Sequence, residues 1–282
     1  MGELGTIEII LIASNVLLSF RGFRDRAFFG DWMFMVNRVL ENREYKRLIT
    51  SGFLHVSGTH LLFNMITLFF FAGPLESFLG PWAFLAVYFG SLLGGNLFAL
   101  LVHQKHGFYS AVGASGAVSG VVFASIALFP GMQLGFLFVP IPIPAWLFGL
   151  GFILYSIFGI KSQRDNIGHE AHLGGAVVGL LIAIAFYPEV LAVNKFSIML
   201  VLVPSLSFML VVLFRPSLLS GSFTVKGSKP SKTQRNADDH YHAIKAEKKK
   251  ELDRILEKIQ AEGIDSLSPE EKWHLDTYGE NL

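Results

Sequence analysis

A serine set among small residues, Ser115 in VGASGAVSG, and two histidines three apart, His169 and His172 in GHEAHLGGAVVG, are the residues best suited to covalent chemistry. A serine hydroxyl is a weak nucleophile until a base within hydrogen-bond reach takes its proton, and neutral imidazole is the usual base. Ser115 with either His169 or His172 makes such a pair. Gly113 and Gly116 carry no side chain, so a substrate or another backbone can approach the serine closely. A second polar group stands in LHVSGTHLLFNM, where His55 precedes His60 and Asn64. The last two are four residues apart, on one face of a helix, and both can donate toward a single oxygen. This is the equipment of acyl transfer, in which losing one oxyanion donor costs on the order of 100-fold to 1000-fold in turnover. Two plainer readings compete. Small residues at four-residue spacing, such as Gly116 and Gly120, are how membrane helices pack. His169 and His172 can ligate a metal, yet GHEAH is not HExxH and no carboxylate ligand is evident on that face, so no metal is expected.

Seven apolar stretches must carry these residues, at about 6–20, 60–79, 82–101, 115–129, 145–158, 171–187 and 196–214. With 52% hydrophobic residues and 27 Phe, the chain reads as a polytopic membrane protein. A spanning helix needs about 20 apolar residues, so the shorter stretches draw flanking polar residues below the membrane surface. Successive helices alternate direction, so the second, fourth and sixth all start on one side of the bilayer. Their opening residues, His60 and Asn64, Ser115, and His169 and His172, can then converge. Polar groups inside membrane segments are costly, and they mark function by default. Between the first two helices, residues 21–59 mix charge with Phe28, Phe29, Trp32, Met33, Phe34 and Met35, which suits either a lobe lying partly in the bilayer or an ordinary amphipathic loop. The 24 charged residues after position 214, against 21 before it, mark a different region. A Gly, Ser, Pro and Lys linker over 216–238 is followed by a helical hairpin over 239–282. Its first helix carries Leu252, Ile255, Leu256 and Ile259 on one face; Gly263 suits its stop, and Ser268, Pro269 and Glu271 form the cap of a second helix carrying Trp273. No cysteine is present, which excludes disulfides and a cysteine nucleophile. No basic run coincides with a nucleic-acid-binding motif, so nucleic acid is not an expected partner. The N-terminus lacks the basic region of a signal peptide, and its apolar stretch is read as a retained helix.

The histidine and asparagine run, GASG and AHLGG, in this order and spacing, resemble the rhomboid intramembrane proteases over residues 6–187. The resemblance implies an all-α, six-helix bundle over 1–190, here followed by a seventh transmembrane helix over 191–215. It implies a Ser115–His172 dyad, with Ser115 the nucleophile and His172 the general base. His60, Asn64 and Gly113 fall on the oxyanion and substrate side. His55 matches a loop-supporting histidine, Glu76 a structural acid, and Gly175 and Gly179 the small residues that let the sixth helix lie on the fourth. Two features depart from the family. In place of a Trp-Arg pair the first loop has Tyr45 and Arg47, and Ser119 stands where many members stack an aromatic ring on the base. His172 is then expected to be held otherwise, with help from His169 or Glu170. The family orientation, with the site facing away from the cytoplasm, is retained although Lys and Arg gather on the Ser115 side. The resemblance implies hydrolysis of peptide bonds in or near transmembrane segments of other proteins, without a cofactor, by a multi-pass protein of the cell membrane. The expected partners are transmembrane protein substrates, the lipid bilayer, and a docking partner for the C-terminal hairpin. The alternative is a non-proteolytic member that grips client helices. A transporter would show internal repeats or broken helices around a polar path, and neither is seen.

Overall fold

The computed structural model describes residues 5–136, 139–162 and 167–214, and in the tail 254, 255, 258, 259, 266–268 and 271. In chain order the elements are α1 (Thr6–Arg24), α2 (Arg26–Trp32), β1 (Phe34–Met35), α3 (Val36–Leu40), α4 (Arg47–Thr50), α5 (Gly58–Leu79), α6 (Pro81–Val102), β2 (Ser110–Ala111) and α7 (Ser115–Leu128). There follow β3 (Gln133–Phe136), β4 (Val139–Pro144), α8 (Ala145–Ser162), α9 (His169–Phe186), α10 (Val190–Val193) and α11 (Lys195–Phe214). Each of the seven apolar stretches is a helix. Two small antiparallel pairs, β1 with β2 and β3 with β4, were not legible in the sequence.

Six of the seven helices are long and apolar enough to cross a membrane. The exception is α7, whose 14 residues reach about 21 Å against a hydrocarbon core of roughly 30 Å. All of its residues from Gly116 to Leu128 are buried. The protein is an all-α polytopic membrane protein in which α1, α5, α6, α8, α9 and α11 surround or flank a submerged short helix.

Local chemistry fixes the ends of these helices. Glu76, near the end of α5, accepts the free N–H groups of Ile7 (3.1 Å) and Glu8 (2.9 Å) at the start of α1, where the helix dipole favours an anion. Ser57 caps α5 by accepting the His60 N–H. Gly80, at φ +78, makes a one-residue turn into α6, with Pro81 at the first helical position. At the far end of α7, Asn194 donates to the carbonyls of Ile126 (2.7 Å) and Ala127 (2.9 Å), which would otherwise lie unbonded inside the bundle.

The bundle interior is closed by glycine. A Cβ on Gly175 would overlap the Gly116 carbonyl, one on Gly179 would overlap Gly120, and one on Gly95 would overlap the Ala171 carbonyl. Backbones of α6, α7 and α9 thus touch directly, as small-residue seams in membrane helices allow.

The segment between α1 and α5 is a folded lobe. Several of its apolar residues point inward, since Phe28, Met33, Phe34 and Met35 are buried and Phe34, Val36, Val39 and Leu48 form a small core of their own, while Leu40, Tyr45 and Ile49 are exposed. Arg47 ties the lobe together from inside, donating to the carbonyls of Gly30 (2.6 Å) and Met33 (2.8 Å) and to Glu44 (2.6 Å). It does so without a Trp partner.

The chain divides into two compact units, Met1–Gly227 and Ser228–Leu282. In the second, Ser268 N–H donates to Glu271 and Glu271 N–H donates to Ser268 Oγ, the reciprocal bonds of a capping box, and Glu271 also accepts from Arg254 and Lys258. Those bonds hold the Glu271 carboxyl at about 2, the Ser268 backbone N–H contributing most. Ile255 is buried. The linker expected over 216–238, and Leu252, Leu256, Gly263, Pro269 and Trp273, lie outside the described residues.

Candidate active site

The starts of α5, α7 and α9 meet at one end of the bundle. What shapes the Ser115 segment is the stretch before it. β2 pairs with β1 of the lobe, Phe34 opposite Ala111 and Met35 opposite Ser110. Gly113 N–H then donates to the Ser51 carbonyl (3.0 Å). Gly113 has φ +139, a conformation side chains rarely take, and a Cβ there would lie 2.8 Å from His60 Cε1, 3.0 Å from His60 Nε2 and 3.5 Å from Ser115 Oγ. With its N–H committed, Gly113 contributes space. His60 and Ser115 face that same space.

His55 braces this turn from below. Its Nε2 accepts the Ala114 N–H (3.4 Å) and its Nδ1 lies 2.8 Å from Ser19 Oγ, which in turn donates to the Phe53 carbonyl (3.1 Å). The three bonds agree on one arrangement: Nε2 without a proton, Nδ1–H donating to Ser19. That requires a neutral ring, and complete burial, with the nearby His60, pushes the His55 pKa down to about 3. The His55 and His60 rings meet edge to face, 4.9 Å between centroids.

Ala114 ends the turn, and Ser115 opens α7 with no side-chain cap. The first intrahelical bond runs from Val118 N–H to the Ala114 carbonyl, so the first-turn amides of Ser115 and Gly116 have no partner among the described residues. Ser115 and His172 are both partly exposed, whereas Ala114, Gly116, Ala171 and Leu173 beside them are buried. A Cβ on Gly116 would lie 3.3 Å from the Ala171 carbonyl oxygen, so the chain neighbours of Ser115 and His172 touch. Ser115 Oγ and His172 are not hydrogen-bonded to each other, and His172 Nδ1 is buried without a partner. Asn64, also buried, donates to the His60 carbonyl (3.0 Å), leaving its second N–H available.

The ring that braces His172 comes from an element the sequence did not single out. Phe152, on α8, lies 5.7 Å from the His172 ring, tilted by 31°. It replaces, from another helix, the aromatic residue that Ser119 cannot supply; as one of 27 Phe it gave no signal. His169 is almost fully buried in a notch at Gly159, where a Cβ would overlap its ring, and stands 4.9 Å edge-on to Tyr155 and 6.0 Å from His172. Glu170 does not assist His172 by direct contact. Its carboxylate is taken by His103 at 3.1 Å. Among the described residues no group of three His, Asp or Glu is arranged to hold a metal ion.

This geometry, with Ser115 and His172 on touching helices, agrees with a family match by the Rhomboid domain over residues 42–189, more than half of the chain. The chain belongs to the rhomboid family. All of α5 through α9 falls inside the matched region, and α1 and α11 outside it. The rhomboid's tail, residues 235–281, matches a family of unknown function. The chain is 31% identical over 190 residues to RHOMBOID-like protein 12, mitochondrial, of Arabidopsis thaliana, covering 62% of this chain and 56% of that protein. It is 36% identical over 149 residues to the putative rhomboid protease YdcA of Bacillus subtilis, covering 52% and 70%. It is 28% identical over 221 residues to the rhomboid protease AarA of Providencia stuartii, covering 71% and 73%. The chain thus spans little more than half the length of the plant relative.

Proposed function

We propose that this rhomboid is an intramembrane serine endopeptidase, with Ser115 as nucleophile and His172 as general base, acting on transmembrane segments of other membrane proteins. The observation that carries this reading is the pairing of two partly exposed residues, Ser115 and His172, at the starts of helices whose backbones touch through Gly116, Ala171 and Gly175. In the forward step Ser115 Oγ attacks the scissile carbonyl while His172 takes the hydroxyl proton. The oxyanion is received by the free first-turn amides of α7, with His60 and Asn64 as side-chain donors from α5. His172 returns the proton to the leaving amine, and a water, deprotonated by the same ring, hydrolyses the acyl-enzyme. No step calls for a cofactor or a metal. His55 and His169 serve by holding the Ser115 turn and the start of α9. A place in the cell membrane is part of this proposal, against the mitochondrial place in the plant relative's name, and cell fractionation checks it.

A second reading, a non-proteolytic member that grips client helices, draws on the missing Ser115–His172 hydrogen bond. Such bonds are often long in free enzymes and tighten only in the complex, so the bond's absence weighs little against catalysis. Labelling with a fluorophosphonate separates the two. The wild type is expected to label and Ser115→Ala not to; an unlabelled wild type that still binds transmembrane segments establishes the second reading.

A further inference from the structure

Outside the Ser115–His172 pair, one buried polar contact joins the segments that carry its two members. His103 follows α6 directly and is nearly buried, and its Nε2–H donates to Glu170 Oε1 at 3.1 Å. Glu170, also nearly buried, stands in the first turn of α9, two residues before His172. The His103 ring stacks flat on Tyr109, 3.6 Å between centroids and 8° from parallel. Tyr109 in turn is fixed to the lobe, its carbonyl accepting Val36 N–H (3.1 Å) and its ring edge-on to Phe34 at 6.2 Å. It lies six residues before Ser115. One joint therefore links the end of α6, the strand leading to the nucleophile and the first turn of the helix bearing the base.

We propose that His103 and Glu170 are a positioning pair that sets the first turn of α9, and with it the His172 ring, against the Ser115 segment. The inference rests on the reading of Ser115 and His172 as nucleophile and base. A carboxylate buried at this depth is costly without a partner, and removing one member of such a pair leaves the other uncompensated. The strain is then relieved where the structure yields: below its first turn α9 is seamed to α6 and α7 by Gly174, Gly175 and Gly179, and within that turn the Ala171 carbonyl rests on Gly95 and Gly116. That turn carries Glu170 and His172 together, so a shift of one shifts the other. A displacement there moves the base, while His60, Asn64 and the first-turn amides of α7 stand on other helices.

The test is made on the full chain in detergent, by fluorophosphonate labelling and by cleavage of a transmembrane model substrate. His103→Leu is expected to lower kcat by roughly 10-fold with KM unchanged, since small misplacements of a catalytic group act on the chemical step. His103→Gln is expected to restore most of the rate, because its side-chain amide still donates to Glu170. Simple filling of space predicts the reverse order, Leu at least as good as Gln. The double variant His103→Leu/Glu170→Leu removes the uncompensated charge, so it keeps folding measurable if the single variant fails; it should be stable and still slow. A fast double variant, a fast His103→Leu, or a loss confined to KM overturns the proposal. A wild type that does not label, or a Ser115→Ala that does, sinks the reading beneath it instead.

Discussion

Gly179→Ala adds a single methyl group at a place where two backbones meet. A Cβ on Gly179 would overlap Gly120 Cα and sit 2.5 Å from the Gly120 carbonyl oxygen and 2.6 Å from its carbonyl carbon. Ordinary contact begins near 3.4 Å, so α7 and α9 must part by about 1 Å at that level. No flexible side chain is there to yield. Overpacking of this kind costs about 1–3 kcal/mol of stability. The effect on rate should be larger in proportion, because the parted helices carry Ser115 and His172, and a misplacement of about 1 Å costs on the order of 100-fold. The assay is the second-order rate of fluorophosphonate labelling in detergent, at a temperature where the variant is still folded by its melting curve. Gly151→Ala on α8 is the control, since nothing lies within 4 Å of the added methyl, and it should label like wild type. A folded Gly179→Ala that labels as fast as wild type would refute the view that the glycine seam sets the geometry of the pair.

Ser115→Ala and His172→Ala should each abolish proteolysis in a folded protein, and the double variant should be no worse than either, because nucleophile and base act as one unit; activity surviving in His172→Ala but lost in His169→Ala would reassign the base. His55 is neutral when folded and titrates near 6.5 when unfolded. Its contribution is therefore complete above pH 6.5 and lost as pH falls from there toward about 3, at up to roughly 1.4 kcal/mol per pH unit. Melting curves of wild type and His55→Gln between pH 7 and 5 should converge on acidification, and parallel curves would count against it. Deleting residues 226–282 should leave cleavage of a transmembrane model substrate in detergent largely unchanged; a truncated protein that is stable yet inactive would make the tail part of the machinery. Chelation should not reduce labelling, and a loss restored by zinc would reopen the metal reading.

Much of this was legible in the sequence because membrane helices are written in long apolar runs. All seven stretches became helices, and the opening residues of the second, fourth and sixth lie at one end because alternating direction leaves no other arrangement. The tail's capping box was visible as Ser268 and Glu271, a local signal contained within four consecutive residues. What stayed hidden is contact between distant segments. Phe152 carries no mark that separates it from the lipid-facing phenylalanines, and only the packing of α8 on α9 brings it to His172. Help for His172 was expected from His169 or Glu170, and the sequence did not show that the Glu170 carboxylate meets His103, 67 residues away, rather than His172 itself. The apolar residues of the first loop were ambiguous for a related reason. Composition does not say which of them face one another: Phe28, Met33, Phe34 and Met35 are buried, whereas Leu40, Tyr45 and Ile49 are exposed.

The short length of α7 suits the role proposed for its first residue. A serine at the start of a full-length span would open at the membrane surface, where no transmembrane segment can reach it without leaving the bilayer. At about 21 Å, α7 falls short of the hydrocarbon core by about 9 Å, and Ser115 remains partly exposed at its upper end, so the shortfall can be taken up there as a recess that admits water. A short helix buried over its length has a second end to satisfy, however. Its last carbonyls cannot reach water through a packed bundle, and unbonded they would cost about 1–3 kcal/mol each. Asn194 meets two of them, and it lies beyond residue 189, where the family match stops. The junction of α10 and α11 is for that reason part of the unit that holds Ser115 at depth, while the tail beyond residue 227 is a separate compact unit. Asn194→Leu should therefore lower melting temperature and labelling together, whereas Asn194→Asp, which offers an acceptor to two acceptors, should be worse than Leu. Equal stability of wild type and both variants would mean that water reaches the lower end of α7 after all.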